Sequence, residues 1–319
     1  MSTSTIKIQH ITHASPEKDK QEVLRVWDAY NPVYASLTRQ RLTQPFGQER
    51  YGLAAAFANQ ICIGTTAYIL SPRGQGIFTQ VYTDPNYRGQ GIGKTTVAET
   101  VRILREWGGR AIYLAAWKDW VRAMYQNVGF EFIGAMAERH AYKLTLQPSG
   151  DDAILFRKNQ KTVIRPLATD DQADLSSLFN AQHNTPIKHY ELGCFLGSHF
   201  ESEFFTLQHH KNLTALILDG EETIQGLATV MPSTRRHETH SATVDILVHP
   251  NHFIQAASLL QALETTCDSD VLYAYIASEE IQKQALFKQA GYQQISVLKK
   301  RLKIGSDTFD LGLYEKQLS

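Results

Sequence analysis

The sequence predicts an α+β protein built from two copies of one unit. Three observations carry that expectation. The chain has 319 residues, 43% of them apolar, and at roughly 150 residues per domain this makes two domains, each with enough apolar content for its own core. The order of strand-like and helix-like segments in the first half recurs in the second. Two landmarks also align across the halves: Pro85 with Pro250, an offset of 165, and Gly129-Phe130 with Gly291-Tyr292, an offset of 162.

From the N-terminus, Thr5 to Ile11 alternates as a strand. Pro16-Glu17 then opens a helical pattern carrying Val23, Leu24, Val26 and Trp27 towards Tyr30, and a second helix follows around Val33 to Leu42. Gly52 to Ala58 and Ile61 to Leu70 form a hairpin across Asn59-Gln60, and Gly76 to Thr83 is a third strand stopped by Asp84-Pro85. Gly91 to Trp107 repeats apolar residues at helical spacing and closes at Gly108-Gly109. Ala111 to Trp117 is a buried strand, Asp119 caps a helix over Trp120 to Asn127, and Glu131 to Gly134 and Glu138 to Leu146 are strands. Residues 149–160 begin with a turn-rich stretch and make a linker.

The second half repeats this order. It has a strand at Thr162 to Pro166, a helix at Asp170 to Asn180, a hairpin of Leu213 to Asp219 with Gln225 to Met231, and a strand at Ala242 to Val248. A helix at Phe253 to Thr265, a strand at Val271 to Ala277 and a helix at Glu279 to Gln289 follow. The expected boundaries are 1–148, 149–160 and 161–319.

The formal charge of zero is a cancellation. Residues 1–150 carry 17 Lys+Arg against 11 Asp+Glu, a balance of +6, and residues 151–319 carry 15 against 21, a balance of −6. A basic first half suits an anionic ligand. No Lys/Arg run is long enough for a phosphate footprint and the pI is near 7.2, so nucleic acid is not an expected partner. Cys62, Cys194 and Cys267 are few, distant and in no metal-like spacing, which suits a reducing compartment. The opening MSTSTIKIQHITHA lacks a basic segment followed by an apolar one, and no apolar stretch is long enough to span a bilayer. A cytoplasmic protein without membrane attachment is expected; oligomeric state is not legible.

The densest signal is Tyr87-Arg88-Gly89-Gln90-Gly91-Ile92-Gly93-Lys94-Thr95, between a strand and a helix. Glycines there let the backbone approach a pyrophosphate at the positive end of the helix dipole. The dinucleotide fingerprint G-x-G-x-x-G does not match the observed G-x-G-x-G. The nucleotide-triphosphate loop also misses, because its first glycine would fall on Arg88. His237-Glu238-Thr239-His240 is H-E-x-H and not the zinc motif H-E-x-x-H, so no metal site is expected.

Arg88-Gly89-Gln90-Gly91-Ile92-Gly93 matches the R/Q-x-x-G-x-G/A loop of the GNAT N-acetyltransferase superfamily, after a strand ending in Asp84-Pro85-Asn86-Tyr87. Further on, Met124-Tyr125-Gln126-Asn127-Val128-Gly129-Phe130 resembles that family's L-Y-x-x-x-G-F signature. The resemblance covers residues 1 to about 147 and extends by element order over 160–319. It implies two tandem GNAT folds, each a mixed, mostly antiparallel twisted sheet flanked by helices.

The resemblance further implies acetyl-CoA as co-substrate. The splayed strand Gln80-Val81-Tyr82-Thr83 would bond the pantetheine arm and thioester oxygen through its backbone, with the amide near Val81 as oxyanion donor. Arg88, Gly89, Gln90, Gly91, Gly93, Lys94 and Thr95 would hold the pyrophosphate, with Ile92 facing the core. Tyr125 occupies the general-acid position, and a phenol of pKa around 10 keeps its proton at neutral pH. Trp27, Tyr30 and Tyr34 lie where the family binds acceptors, and with the acidic second half they hint at a cationic amine. Lys118 stands where the family often has an Asn, and the strand from Ile77 to Thr83 has no carboxylate for a general base. Tyr82, Asp28 and His140 are candidates for that role.

The second copy lacks the machinery. No glycine follows His249-Pro250, and Phe287 stands at the position of Tyr125. The expectation is an acetyl-CoA-dependent N-acetyltransferase acting on a primary amine of a small molecule, its N-terminal half catalytic. Two other readings stay open: a non-catalytic acyl-CoA-binding or regulatory protein, and an acyltransferase with another acyl donor or a protein acceptor.

Overall fold

The computed structural model describes residues 6–116, 118–136, 139–183, 185, 187–192, 204 and 213–318. Thr5, Trp117, Glu138 and Cys194, named in the sequence analysis, lie outside the described residues.

Two seven-stranded mixed sheets share one topology. The first holds β1 (Ile6–Ile11), β2 (Arg50–Ala58), β3 (Ile61–Leu70), β4 (Gln75–Thr83), β5 (Ala111–Ala116), β6 (Glu131–Met136) and β7 (Arg139–Thr145), in the order β1-β2-β3-β4-β5-β7-β6. The second holds β8 (Thr162–Pro166), β9 (Thr214–Gly220), β10 (Ile224–Pro232), β11 (Ser241–Val248), β12 (Val271–Ala277), β13 (Gln293–Ile304) and β14 (Asp307–Gln317), in the equivalent order β8-β9-β10-β11-β12-β14-β13. Neighbours run antiparallel except β4 with β5 and β11 with β12. The chain is thus two α+β units of one topology, as the repeated order of elements predicts.

Local chemistry explains the elements. Asn59 and Gln60 take φ of 50° and 68°, which gives the left-handed two-residue turn that matches the twist of the β2–β3 hairpin. Asn31 caps α2 (Pro32–Thr43) by accepting from the Val33 and Tyr34 amides, and so also ends α1 (Glu17–Tyr30). Helix α3 (Ile92–Glu106) buries Val97, Val101 and Leu104 along one stripe.

One expectation is corrected and one element is new. The next helix, α4 (Asp119–Gln126), starts one residue earlier than expected, so the N-cap position falls on Lys118 and not on Asp119. The closing β13–β14 hairpin was not anticipated, because most of β13 is exposed and its Lys-rich run shows no one-sided burial.

The two sheets are packed through one helix. After a 3-10 turn and the short α5 (Asp152–Leu155), Leu155 and Phe156 are fully buried. All nine residues of α6 (Gln172–Asn180) are buried, and the core around them draws Ile77 and Tyr113 from the first sheet and Ile217 and Leu227 from the second. Charge crosses the same boundary. Arg73, in the β3–β4 turn, reaches Asp174 at 2.7 Å and Asp219 at 2.8 Å, and Ser71 donates to Asp174 at 2.8 Å. Burial pushes the Asp174 carboxyl up while Arg73 pulls it down. Arg73→Ala removes the partner of a buried carboxylate, and we expect a loss of about 3 kcal/mol. Because both cores meet at α6, chemical denaturation should show one shared transition moving to lower denaturant; two separate transitions would contradict the shared core.

The second half stores a pH dependence. Burial lowers His183 to about 3, and His189 and His249 to about 4, from an ordinary 6.5. These folded pKa values lie below the unfolded one, so the unfolded chain binds more protons below pH 6.5. The stability they protect is present above that pH and drains away as pH falls. The thermal midpoint should drop from pH 7 to pH 5. His249 Nδ1 accepts from the Asn251 amide at 3.2 Å, so His249→Asn keeps an acceptor, removes one titration, and should flatten the slope.

Candidate active site

The parallel pairing of β4 with β5 covers only Gln75–Ile77 and Ala111–Tyr113, after which the strands separate. Beyond that pairing β4 carries a bulge against β3. Thr65 faces Tyr82 and Ala67 faces Thr79, so Gln80 and Val81 together oppose Thr66. Gln80 takes φ of 52°, an uncommon conformation for a residue with a side chain. A cavity of about 510 Å³ opens between the parted strands.

One end of this cavity is the glycine loop. Gly89 and Gly91 both take φ of 78°, and a Cβ built on either meets nothing within 4 Å. Gly91 is the N-cap of α3, so the first-turn amides of that helix face the opening with no carbonyl of their own helix to bond. Arg88, Gly89, Gly91, Ile92, Gly93 and Lys94 all contribute to the wall. Arg88 also donates to the Thr83 carbonyl at 3.3 Å, which ties the loop to the end of β4. Ile92 is buried, as expected, against Ala56, Ala58 and Ile63. Gln90 and Thr95 do not line the cavity; the Thr95 hydroxyl donates back to the Gly91 carbonyl at 3.1 Å.

Tyr125, on α4, stands in the wall beside β4 and β5. Its ring packs with Phe78, Phe130 and Tyr142, with centroids 5.8 to 6.4 Å away. No hydrogen-bond partner for its hydroxyl occurs among the described residues. Burial pushes the phenol well above its ordinary range, so it keeps its proton across neutral pH.

At the other end Trp27, Tyr30, Tyr34 and Tyr82 meet edge-on or tilted, with centroid separations of 5.0 to 6.0 Å. The rings touch one another and build a wall, not an open cage around a cation. Tyr30 is 60% exposed and Trp27 only 2%, so the wall is accessible mainly through Tyr30. Val81, Tyr82 and Thr83 line the cavity as well.

Of the three base candidates only Tyr82 lines the cavity. Asp28 is exposed and paired with Arg39 at 3.0 Å, and His140 contacts Arg122 at 3.0 Å through Nε2. Asn31 and Met124 also form walls without having been expected to, and Gln80, expected there only through its backbone, lines the cavity too. A signal existed for Gln80: an amide between Phe78 and Val81 in the interior of a strand demands buried partners.

The second sheet explains its own loss of this site. Equivalent strand starts Gln75 and Ser241 pair with the first residues of β5 and β12, an offset of 166, whereas Pro85 and Pro250 are offset by 165. One residue has gone, and β10 and β11 pair without interruption through Gly226 and Val248. The missing residue is the bulge. Asp245 stands near the place of Thr79, ion-paired with Lys283 and 3.4 Å from His189, so buried ions occupy this cleft. Phe287 is fully buried against Tyr292. Arg235 and Glu238 pair in the exposed loop carrying His237, and no metal-binding cluster occurs among the described residues. Among those residues no helix is long and apolar enough to cross a membrane.

Residues 20–130 match the family model described as acetyltransferase (GNAT) family. No curated protein matches the chain. Among solved structures, the chain is similar to a putative acetyltransferase from Salmonella typhimurium solved with its cofactor acetyl-CoA (17% identity, 50% of this chain and 95% of that one, TM-score 0.43). It is also similar to an N-acetyltransferase from Staphylococcus aureus Mu50 (15%, 50% and 99%, 0.43). A ribosomal-protein-alanine N-acetyltransferase from Brucella melitensis is a third (18%, 49% and 99%, 0.40).

Proposed function

We propose, from the match of residues 20–130 to the acetyltransferase (GNAT) family model, that the chain moves an acetyl group from acetyl-CoA to a primary amine of a small molecule. Residues 1–148 are the catalytic unit, 149–160 the connection and 161–319 a degenerate copy. The observation that carries this reading is the single cavity joining a glycine loop, a bulged strand and a buried tyrosine. Open space above Gly89 and Gly91 fits a pyrophosphate, which a Cβ there would displace. Arg88 and Lys94 supply positive charge at the same end.

Acetyl-CoA, when bound, supplies an activated acetyl thioester. The chain does the rest. The α3 amides and the loop glycines hold the pyrophosphate, and the Val81 N–H donates to the thioester oxygen as negative charge builds there. The amine nitrogen bonds to the acetyl carbon and the C–S bond breaks. Tyr125 gives its hydroxyl proton to the departing sulfur, the proton lost by nitrogen passes to solvent, and Tyr125 regains a proton from solvent to restore the phenol. The aromatic wall of Trp27, Tyr30, Tyr34 and Tyr82 covers the acceptor.

The test is calorimetric titration of acetyl-CoA into the full chain, then mass spectrometry of an amine library incubated with protein and acetyl-CoA. Micromolar binding with an acetylated amine is the expected result. Binding without product would favour a regulatory acyl-CoA-binding protein, and no binding would remove the reading.

A further inference from the structure

Gln80 combines three features that separately are unremarked in the sequence. It is 5% exposed, its φ is 52°, and every polar group of its side chain is engaged. The Tyr51 hydroxyl donates to Oε1 at 2.7 Å, and Nε2 donates to Thr38 Oγ1 at 2.6 Å. Thr38 and Tyr51 are themselves buried, on α2 and β2. The backbone carbonyl of Gln80 is held too, accepting from the Thr65 hydroxyl at 3.0 Å.

That last bond sets a direction. In a trans peptide the C=O and the following N–H point opposite ways. With the Gln80 carbonyl turned to Thr65 on β3, the Val81 N–H points away from Thr65. The neighbouring ladder is diverted as well, since the Thr66 carbonyl opposite the bulge accepts from the Thr100 hydroxyl at 3.2 Å. Nothing in the local sequence favours a left-handed glutamine, so the conformation persists because the surroundings over-determine it.

We propose that Gln80 is a positioning residue whose side chain, clamped between Tyr51 and Thr38, locks the bulge so that the Val81 amide meets the acetyl carbonyl. This rests on the acetyl-transfer reading. It also joins two parts of the site: α2, which carries Tyr34 of the aromatic wall, holds the strand that faces the donor through Thr38.

The experiment compares affinity for acetyl-CoA with affinity for CoA by calorimetry, using full-length wild type, Gln80→Gly and Tyr51→Phe. Glycine adopts the left-handed backbone without strain, so Gln80→Gly removes the clamp without forcing the turn to change. Tyr51→Phe keeps the ring and removes one donor, and serves if the first variant unfolds. Wild type should prefer acetyl-CoA about three- to tenfold, the worth of one hydrogen bond to the acetyl oxygen. In both variants that preference should shrink towards none while the CoA affinity holds within about twofold, a split that general destabilisation would not produce. An unchanged preference in the folded variants, or no preference in wild type, overturns the proposal. Failure of wild type to bind either ligand overturns the acetyl-transfer reading itself.

Discussion

Tyr125→Phe is expected to lower kcat by about 100-fold or more while leaving the affinity for acetyl-CoA unchanged. The substitution removes one oxygen and little else. The ring's contacts with Phe78, Phe130 and Tyr142 survive, and the hydroxyl has no hydrogen-bond partner among the described residues, so stability should shift by no more than about 0.5 kcal/mol. What is lost is the proton for the departing sulfur. Burial raises the Tyr125 pKa, so the wild-type residue stays protonated through neutral and mildly alkaline pH and adds no downturn there. Steady-state kinetics with the amine found by the library screen, beside calorimetry with acetyl-CoA, separate the two quantities. Equal kcat in the variant would remove the general-acid role and leave Tyr125 as packing.

How much of this was legible beforehand depends on the kind of signal. The glycine loop and Tyr125 were legible because left-handed backbone at a helix start and an aromatic four residues before Gly129 leave marks in residue type. The duplicated topology was legible from punctuation: Pro85 and Pro250 close equivalent strands, and Gly129 and Gly291 take φ of 97° and 95° after equivalent helices. The clamp on Gln80 was not, because it joins residues 42 and 29 positions apart and glutamine carries no turn preference. The burial of α6 was equally hidden. Its sequence QADLSSLFN mixes polar and apolar residues, and only the arrival of a second sheet turns its polar face into an interior one. There Ser177 finds Thr223 at 2.7 Å and Asp174 finds Arg73. The aromatic wall shows the reverse case. Trp27, Tyr30 and Tyr34, expected at the acceptor end, line the same cavity as the glycine loop, and their mutual packing makes a covering surface there.

Gly91→Asp should weaken acetyl-CoA binding by at least about 100-fold, close to 2.7 kcal/mol, in a protein that still folds. Folding is protected for three reasons. A Cβ at Gly91 meets nothing within 4 Å, Asp tolerates the left-handed region better than most residues, and a carboxylate at a helix N-terminus interacts well with the dipole. The same features defeat the ligand, because the new carboxylate occupies the amides that a pyrophosphate needs and repels its charge. Backbone strain alone can be subtracted with a second variant. Gly108, at the other end of α3, has φ of 81° and equally open space, yet it does not line the cavity. Gly108→Asp therefore imposes similar strain without touching the site, and calorimetry should return wild-type affinity. If both variants lose binding alike, the effect belongs to the helix and not to a phosphate cradle; if neither does, the cofactor lies elsewhere in the cavity and the loop reading fails.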